Sequence, residues 1–214
     1  MTLAAAIAAA RIGQDDGFAA LYQHTVASVY FTAVLSGCSD IPRMLVRIYR
    51  EAREELLLLR SPSDLRLWQG RVVYRILTDG EQPLPRLGDR MLERAAQAIR
   101  HLESIERRAL LLTCADGCSA AQAAEILAIA EIEVKRAVRR ARKQVAQEME
   151  GFGVSVNTAW LLDLMQRLKE ELRPEAAMVE QVRACVMEGK ELPPREPQLG
   201  ETGFLARWFR AKRT

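Results

Sequence analysis

Apolar residues recur at spacings of three and four along most of the chain, while alternation of β-branched residues between turn signals is scarce, so the pattern predicts an all-α fold. A first helical block covers 14–77, interrupted near 36–42 and again at Ser61 and Pro62, where Ser or Asp followed by Pro marks a helix start. Three substantial helices are expected there. The stretch 78–89 holds Gly80, Pro83, Pro85 and Gly88, which is linker composition. Periodicity then resumes, predicting helices over 90–102, 104–115, 119–128 and 131–149, closed by Gly151 and Gly153. Two more are expected at 157–172 and 174–188, before the extended segment around Pro193, Pro194 and Pro197. The expected organisation is a helical domain over 1–77, a linker over 78–89, a second helical domain over 90–150 and an extension over 151–214.

Composition changes this picture only by exclusion. The chain carries 31 Lys and Arg against 28 Asp and Glu, a net charge of +3. Any anionic partner must therefore be argued from where the cations cluster. No apolar run approaches the roughly 18 residues of a membrane span, since the richest, Leu56 to Leu59, is bounded by Glu55 and Arg60. The alanine-rich run Ala4 to Ala10 lacks the basic start of a signal peptide, and with cysteines at only 38, 114, 118 and 185 a reducing cytoplasm is expected.

Charge does cluster in one place. Ser119 followed by Gln122 reads as a capping box, and Ala123, Ala124 and Leu127 then share a face small enough for a close helix crossing. After a short turn near 128–130, Val134, Val138, Ala141 and Val145 fall on one stripe of the next helix. Its other side carries Lys135, Arg136, Arg139, Arg140, Arg142 and Lys143. This is a helix-turn-helix whose second helix presents a basic row suited to a DNA major groove and its phosphate walls. Glu131 and Glu133 complement the helix dipole but put negative charge at the end that approaches bases.

The segment DGCSAAQAAEILAIAEIEVKRAVRRARKQV resembles the fourth region of bacterial RNA polymerase sigma factors of the extracytoplasmic-function group, on Gly117, Ser119, Ala124, Glu125, Ile126, Leu127, Val134, Lys135, Arg140, Ala141 and Arg142. That family usually has glycine at the position of Ala128 and threonine or serine at that of Glu133, so the turn and the helix start are expected to depart from it. The opening FAALYQHTVASVYFTAVLSG is similar to the start of the second sigma region, and Arg66, Trp68, Val72, Val73 and Arg75 are similar to its closing helix. The resemblance covers about 14–148. It implies that Ser119 and the basic row bind promoter duplex, and that Arg66, Trp68, Arg71 and Arg75 hold a single strand through charge and stacking. It also implies a polymerase-docking surface on the intervening helix. Aligning Tyr49 with the family's aromatic puts Pro42 and Arg43 at its acidic pair and Val46 at its glutamine, so Arg43, Val46, Arg47 and Tyr49 mark a docking surface of reversed charge.

Other chemistry is thin. Cys114 and Cys118 have no further zinc ligands closer than His101, His24 stands alone, and no P-loop or nucleophile elbow occurs, so no metal, no cofactor and no enzymatic activity are expected. In the extension, Trp160, Leu161, Leu164, Met165 and Leu168 form a stripe able to cover one of the domains. The last residues alternate Phe204, Leu205, Trp208 and Phe209 with Arg207, Arg210, Lys212 and Arg213, which suits an anionic membrane surface or a protein groove over 203–214. The expected function is a divergent sigma factor with promoter DNA, core RNA polymerase and an anti-sigma factor as partners. A sigma mimic that sequesters an anti-sigma protein, and a stand-alone helix-turn-helix regulator, are the alternatives.

Overall fold

A computed structural model describes residues 1–192. These form ten α-helices and no strand, so the fold is all-α as the periodicity requires. The basic segment 203–214 lies outside the described residues. Among those described, no helix is long and apolar enough to cross a membrane.

Helix α1 (Leu3–Arg11) is an element that sequence periodicity did not supply. Alanine is the strongest helix former, and Thr2 caps the run by accepting the Ala5 N–H. Gly17 lets the next helix meet it at close range, since a Cβ there would lie 2.3 Å from the Ala10 nitrogen. Helix α2 (Asp15–Leu35) is buried on nearly every side and forms the centre of the molecule. Helix α3 (Ile41–Glu54) starts where the Asp40 side chain accepts the Arg43 N–H, with proline in the first turn, and α4 (Leu65–Ile76) follows the predicted Ser61–Pro62 break.

The second half comprises α5 (Arg90–Arg100), α6 (Ser104–Leu110), α7 (Ala120–Leu127) and α8 (Glu131–Glu148). Asp89 caps α5 by accepting the Met91 and Leu92 N–H groups. Helix α6 runs on into a wider π turn over Leu111–Ala115, within a span predicted as one uniform helix. Helices α9 (Thr158–Glu171) and α10 (Ala176–Met187) complete the described chain.

Residues 78–89 are free of helix but held along their length. The Gly80 N–H donates to the Ser36 carbonyl at 3.0 Å and the Gln82 N–H to the Gly37 carbonyl at 3.1 Å. Asp79 binds Arg107 at 2.9 Å and Arg108 at 3.6 Å, and Arg100 donates to the Gln82 carbonyl. Gly37 has φ +69°, and a Cβ on Gly80 would stand 2.4 Å from its carbonyl oxygen, so both glycines are needed for this crossing.

The apolar packing does not divide at this segment. One cluster joins α1 to α4 with Ala123, Ala124, Val134 and Ala137 of the helix-turn-helix and with Val182 and Cys185 of α10. A second joins α5, α8 and α9 to Phe31, Val34 and Leu35 at the end of α2. The stripe read on α9 packs here, with Leu161, Leu164, Met165 and Leu168 buried. Residues 78–89 thus interrupt the secondary structure without interrupting the core.

Candidate nucleic-acid interface

The helix-turn-helix forms as its caps dictate. Ser119 Oγ accepts the Gln122 N–H at 3.1 Å while Gln122 Oε1 accepts the Ser119 N–H at 2.9 Å, closing the capping box. The Ser119 hydroxyl is therefore engaged in starting α7. That helix ends at Ala128, which adopts φ 53° and ψ 43°, the left-handed conformation that glycine usually supplies. The expected departure of the turn is thus one of side chain and not of geometry: alanine holds the glycine conformation at a steric cost.

Helix α8 buries Val134, Ala137, Ala141 and Val145, with Val138 partly covered. All six predicted cations stand on its exposed side. They are not equivalent. Lys135 pairs with Glu131 one turn back at 2.5 Å. Arg140 pairs at 2.5 Å with Glu106 of α6, a carboxylate only 3% exposed whose other oxygen is without a partner. Among the described residues Arg136, Arg139, Arg142 and Lys143 make no ion pair, which leaves four cations along a helix about 27 Å long available to phosphates. Glu131 and Glu133 occupy the first turn, and no side chain caps it.

This arrangement has a counterpart among known families. Residues 92–145 match the family described as Sigma-70, region 4. The match runs from the first turn of α5 through most of α8 and takes in the whole helix-turn-helix, so that segment is similar to the DNA-binding fourth region of sigma-70 factors. No curated protein and no solved structure matches the chain.

The residues outside region 4 are differently placed. Trp68 is 4% exposed, inside the core, and its indole N–H donates to the Glu55 carbonyl at 3.2 Å, so it offers solvent no face for stacking. Arg75 pairs with Glu51 at 3.2 Å and Glu55 at 2.6 Å. Arg71 pairs with Glu125 of α7, and Arg66 donates to the Gly117 carbonyl at 3.0 Å. Gly70 lies between these arginines with Ile126 of α7 against it, a Cβ there being 2.5 Å from Ile126 Cδ1. The single-strand candidates of α4 are thus held together, but by the chain's own groups, and two of them by region 4.

On α3, Arg43 and Arg47 are exposed and paired locally, with Asp40 at 3.6 Å and Glu51 at 3.3 Å. Val46 is buried, as is Tyr49, whose hydroxyl shares a 2.8 Å hydrogen bond with Thr25 and whose ring meets Tyr22 edge-on at 4.7 Å. Tyr49 is a core residue that reaches no docking partner in this arrangement. Helix α10 packs on α3 and on α2, with Arg50 of α3 donating to the Cys185 carbonyl at 3.1 Å and Tyr22 of α2 to the Val179 carbonyl at 2.7 Å.

Among the described residues no group of three or more His, Cys, Asp or Glu side chains is arranged to hold a metal. Cys118 is buried, and burial pushes its thiol up to about 11 against the pull of Arg66. Sequence reasoning missed Glu106 and Asp116, which position the helix-turn-helix, and it named Ile126 without its contact with Gly70.

Proposed function

We propose that the protein is a divergent sigma factor that binds promoter duplex through α8 and directs core RNA polymerase to it. The observation that carries this reading is the region 4-like helix-turn-helix with Arg136, Arg139, Arg142 and Lys143 on its exposed face and unpaired among the described residues. The likeness of the first helices to the second sigma region supports it through order alone. Catalysis, on this reading, belongs to the polymerase. Run-off transcription with purified core polymerase tests it: template-dependent product and stable core binding are expected, and failure to bind core polymerase overturns it.

One observation favours a second reading. The helix that would dock on polymerase has Pro42 and an exposed Arg43 where the resemblance puts the family's acidic pair, with Arg47 exposed one turn on, and α10 packs on it. A sigma mimic that engages an anti-sigma protein without initiating transcription fits a docking surface altered in this way. Competition with an authentic sigma factor for an anti-sigma protein, in the absence of core binding, selects it. A promoter-binding regulator acting through region 4 alone is the outcome if duplex binding is seen with neither.

A further inference from the structure

A cavity of 270 Å³ lies where α2, α4, the turn between α6 and α7, and α9 meet. Its lining includes Ser28, Arg66, Gln69, Tyr74, Asp116 and Lys169. Nothing in the DNA-binding reading of α8 uses it.

The hydrogen bonding around it is unbalanced. Three of its acceptors are occupied: Asp116 Oδ1 takes the Ser28 hydroxyl at 2.9 Å, the Ala115 carbonyl takes Lys169 Nζ at 2.5 Å, and the Gly117 carbonyl takes Arg66, which leaves Asp116 Oδ2 as the further acceptor of the carboxylate. Its donors are in excess. A guanidinium has five N–H groups and an ammonium three, and among the described residues Arg66 uses one toward Gly117 while Lys169 donates to Ala115 and stands 3.9 Å from Asp116. Tyr74 is only 7% exposed, and among the described residues its hydroxyl has no hydrogen bond of full geometry, Thr32 being the side chain beside it, an arrangement that carries a desolvation cost unless something fills it. Burial, with the charges of Asp116 and Cys118, holds the Tyr74 phenol well above its ordinary pKa, outweighing Arg108 and a hydrogen bond with Thr32, so it keeps its proton. Burial also raises Asp116, against the pull of Lys169, Ser28 and Arg66. Two cations and a buried phenol thus face a single carboxylate.

We propose that this cavity is a binding site for a small oxyanion, a carboxylate or phosphate group carried by a small molecule, with Arg66 and Lys169 as its charge partners and the Tyr74 hydroxyl as a further donor. The volume is just below the roughly 300–1,000 Å³ of drug-sized ligand pockets, which limits the occupant to a small metabolite. Because the walls come from the first helices, from the turn that enters region 4 and from the extension, the ligand binds only while these are packed together. Occupancy therefore stabilises that packing by mass action.

The test uses the full chain, titrated with inorganic phosphate in one arm and malonate in the other, against chloride at matched ionic strength. Saturable binding in the low millimolar range is expected in at least one arm, with amide shifts at Asp116 and Gly117 and a raised unfolding midpoint. Arg66→Ala should weaken it about tenfold or more and Tyr74→Phe about fivefold, the range for a charge-assisted and a neutral hydrogen bond. Tyr74→Phe removes only the hydroxyl, and its ligand-free unfolding midpoint, measured beside the parent's, separates lost binding from lost structure. The pair Arg136→Ala and Arg139→Ala should leave the titration unchanged, separating the cavity from the basic face of α8. Binding in neither arm beyond the chloride control, or binding that survives both cavity substitutions, overturns the proposal.

Discussion

Ala128 shows how one residue can keep a geometry while weakening it. The left-handed conformation costs an L residue roughly 1–2 kcal/mol, and Ala128 is exposed, so glycine there gives up no buried contact. Ala128→Gly should raise stability by about 1 kcal/mol after allowing for the greater freedom of the unfolded chain, read as a higher urea midpoint with unchanged slope. The resemblance pointed to this position, but only the backbone shows that the turn is conserved in shape. Asp79 was not legible at all, because its partners Ser104, Arg107 and Arg108 lie across the linker. Burial tends to raise its carboxyl, but hydrogen bonds from Ser104 and Arg107 and the two guanidinium charges outweigh it and hold the pKa below the ordinary value. A lowered folded-state pKa contributes stability that is present above the unfolded value of about 3.9 and lost as pH falls through the folded one. Asp79→Asn should accordingly cost about 1–3 kcal/mol at neutral pH. In denaturation series across pH, the gap between variant and parent should close below about pH 4.

At the scale of elements, the cations of α8 divide into two groups that mutation can tell apart. Arg136→Ala with Arg139→Ala should weaken duplex binding and reduce the salt dependence by about one log-log unit per lost phosphate contact, with the unfolding midpoint unchanged. Binding isotherms at several salt concentrations measure this, and an unaltered slope would remove that face from the interface. Arg140→Ala should behave differently. It leaves the buried Glu106 without its partner, so a stability loss of about 1–3 kcal/mol is expected, along with any loss of affinity. Both groups were visible in the sequence as one row, because helical spacing reports which side a residue occupies and not which acid from another helix reaches it. The helices themselves were legible wherever apolar and polar positions contrast. Helix α1 escaped because a run of alanines has no such contrast, and the π turn over Leu111–Ala115 escaped because one wider turn hardly disturbs the period.

At the scale of the molecule, the decisive contact is between α4 and α7. Gly70 leaves room for Ile126, and Arg71 on one side of that contact pairs with Glu125 on the other. The ion pair is about half exposed and contributes at most about 1 kcal/mol, so apolar packing at Gly70 carries most of the attachment. Neither residue announces it: a glycine inside a helix and an isoleucine at the end of another occur for many reasons, which is why the sequence read as two separate units. The consequence bears on the sigma reading, since a single strand that bound Arg66 and Arg71 would compete with the Gly117 carbonyl and Glu125 for them. Ile126→Glu places a carboxylate against Gly70 beside Glu125, where burial without a partner is unfavourable. Amide exchange is expected to accelerate in α4 and α7 while the cluster of α5, α8 and α9, which Ile126 does not enter, stays protected. If the variant also gains affinity for single-stranded promoter DNA in the presence of core polymerase, the covered face of α4 is a DNA surface that packing withholds. If exchange rises and single-strand affinity does not, α4 is structural and promoter contact rests on α8 alone.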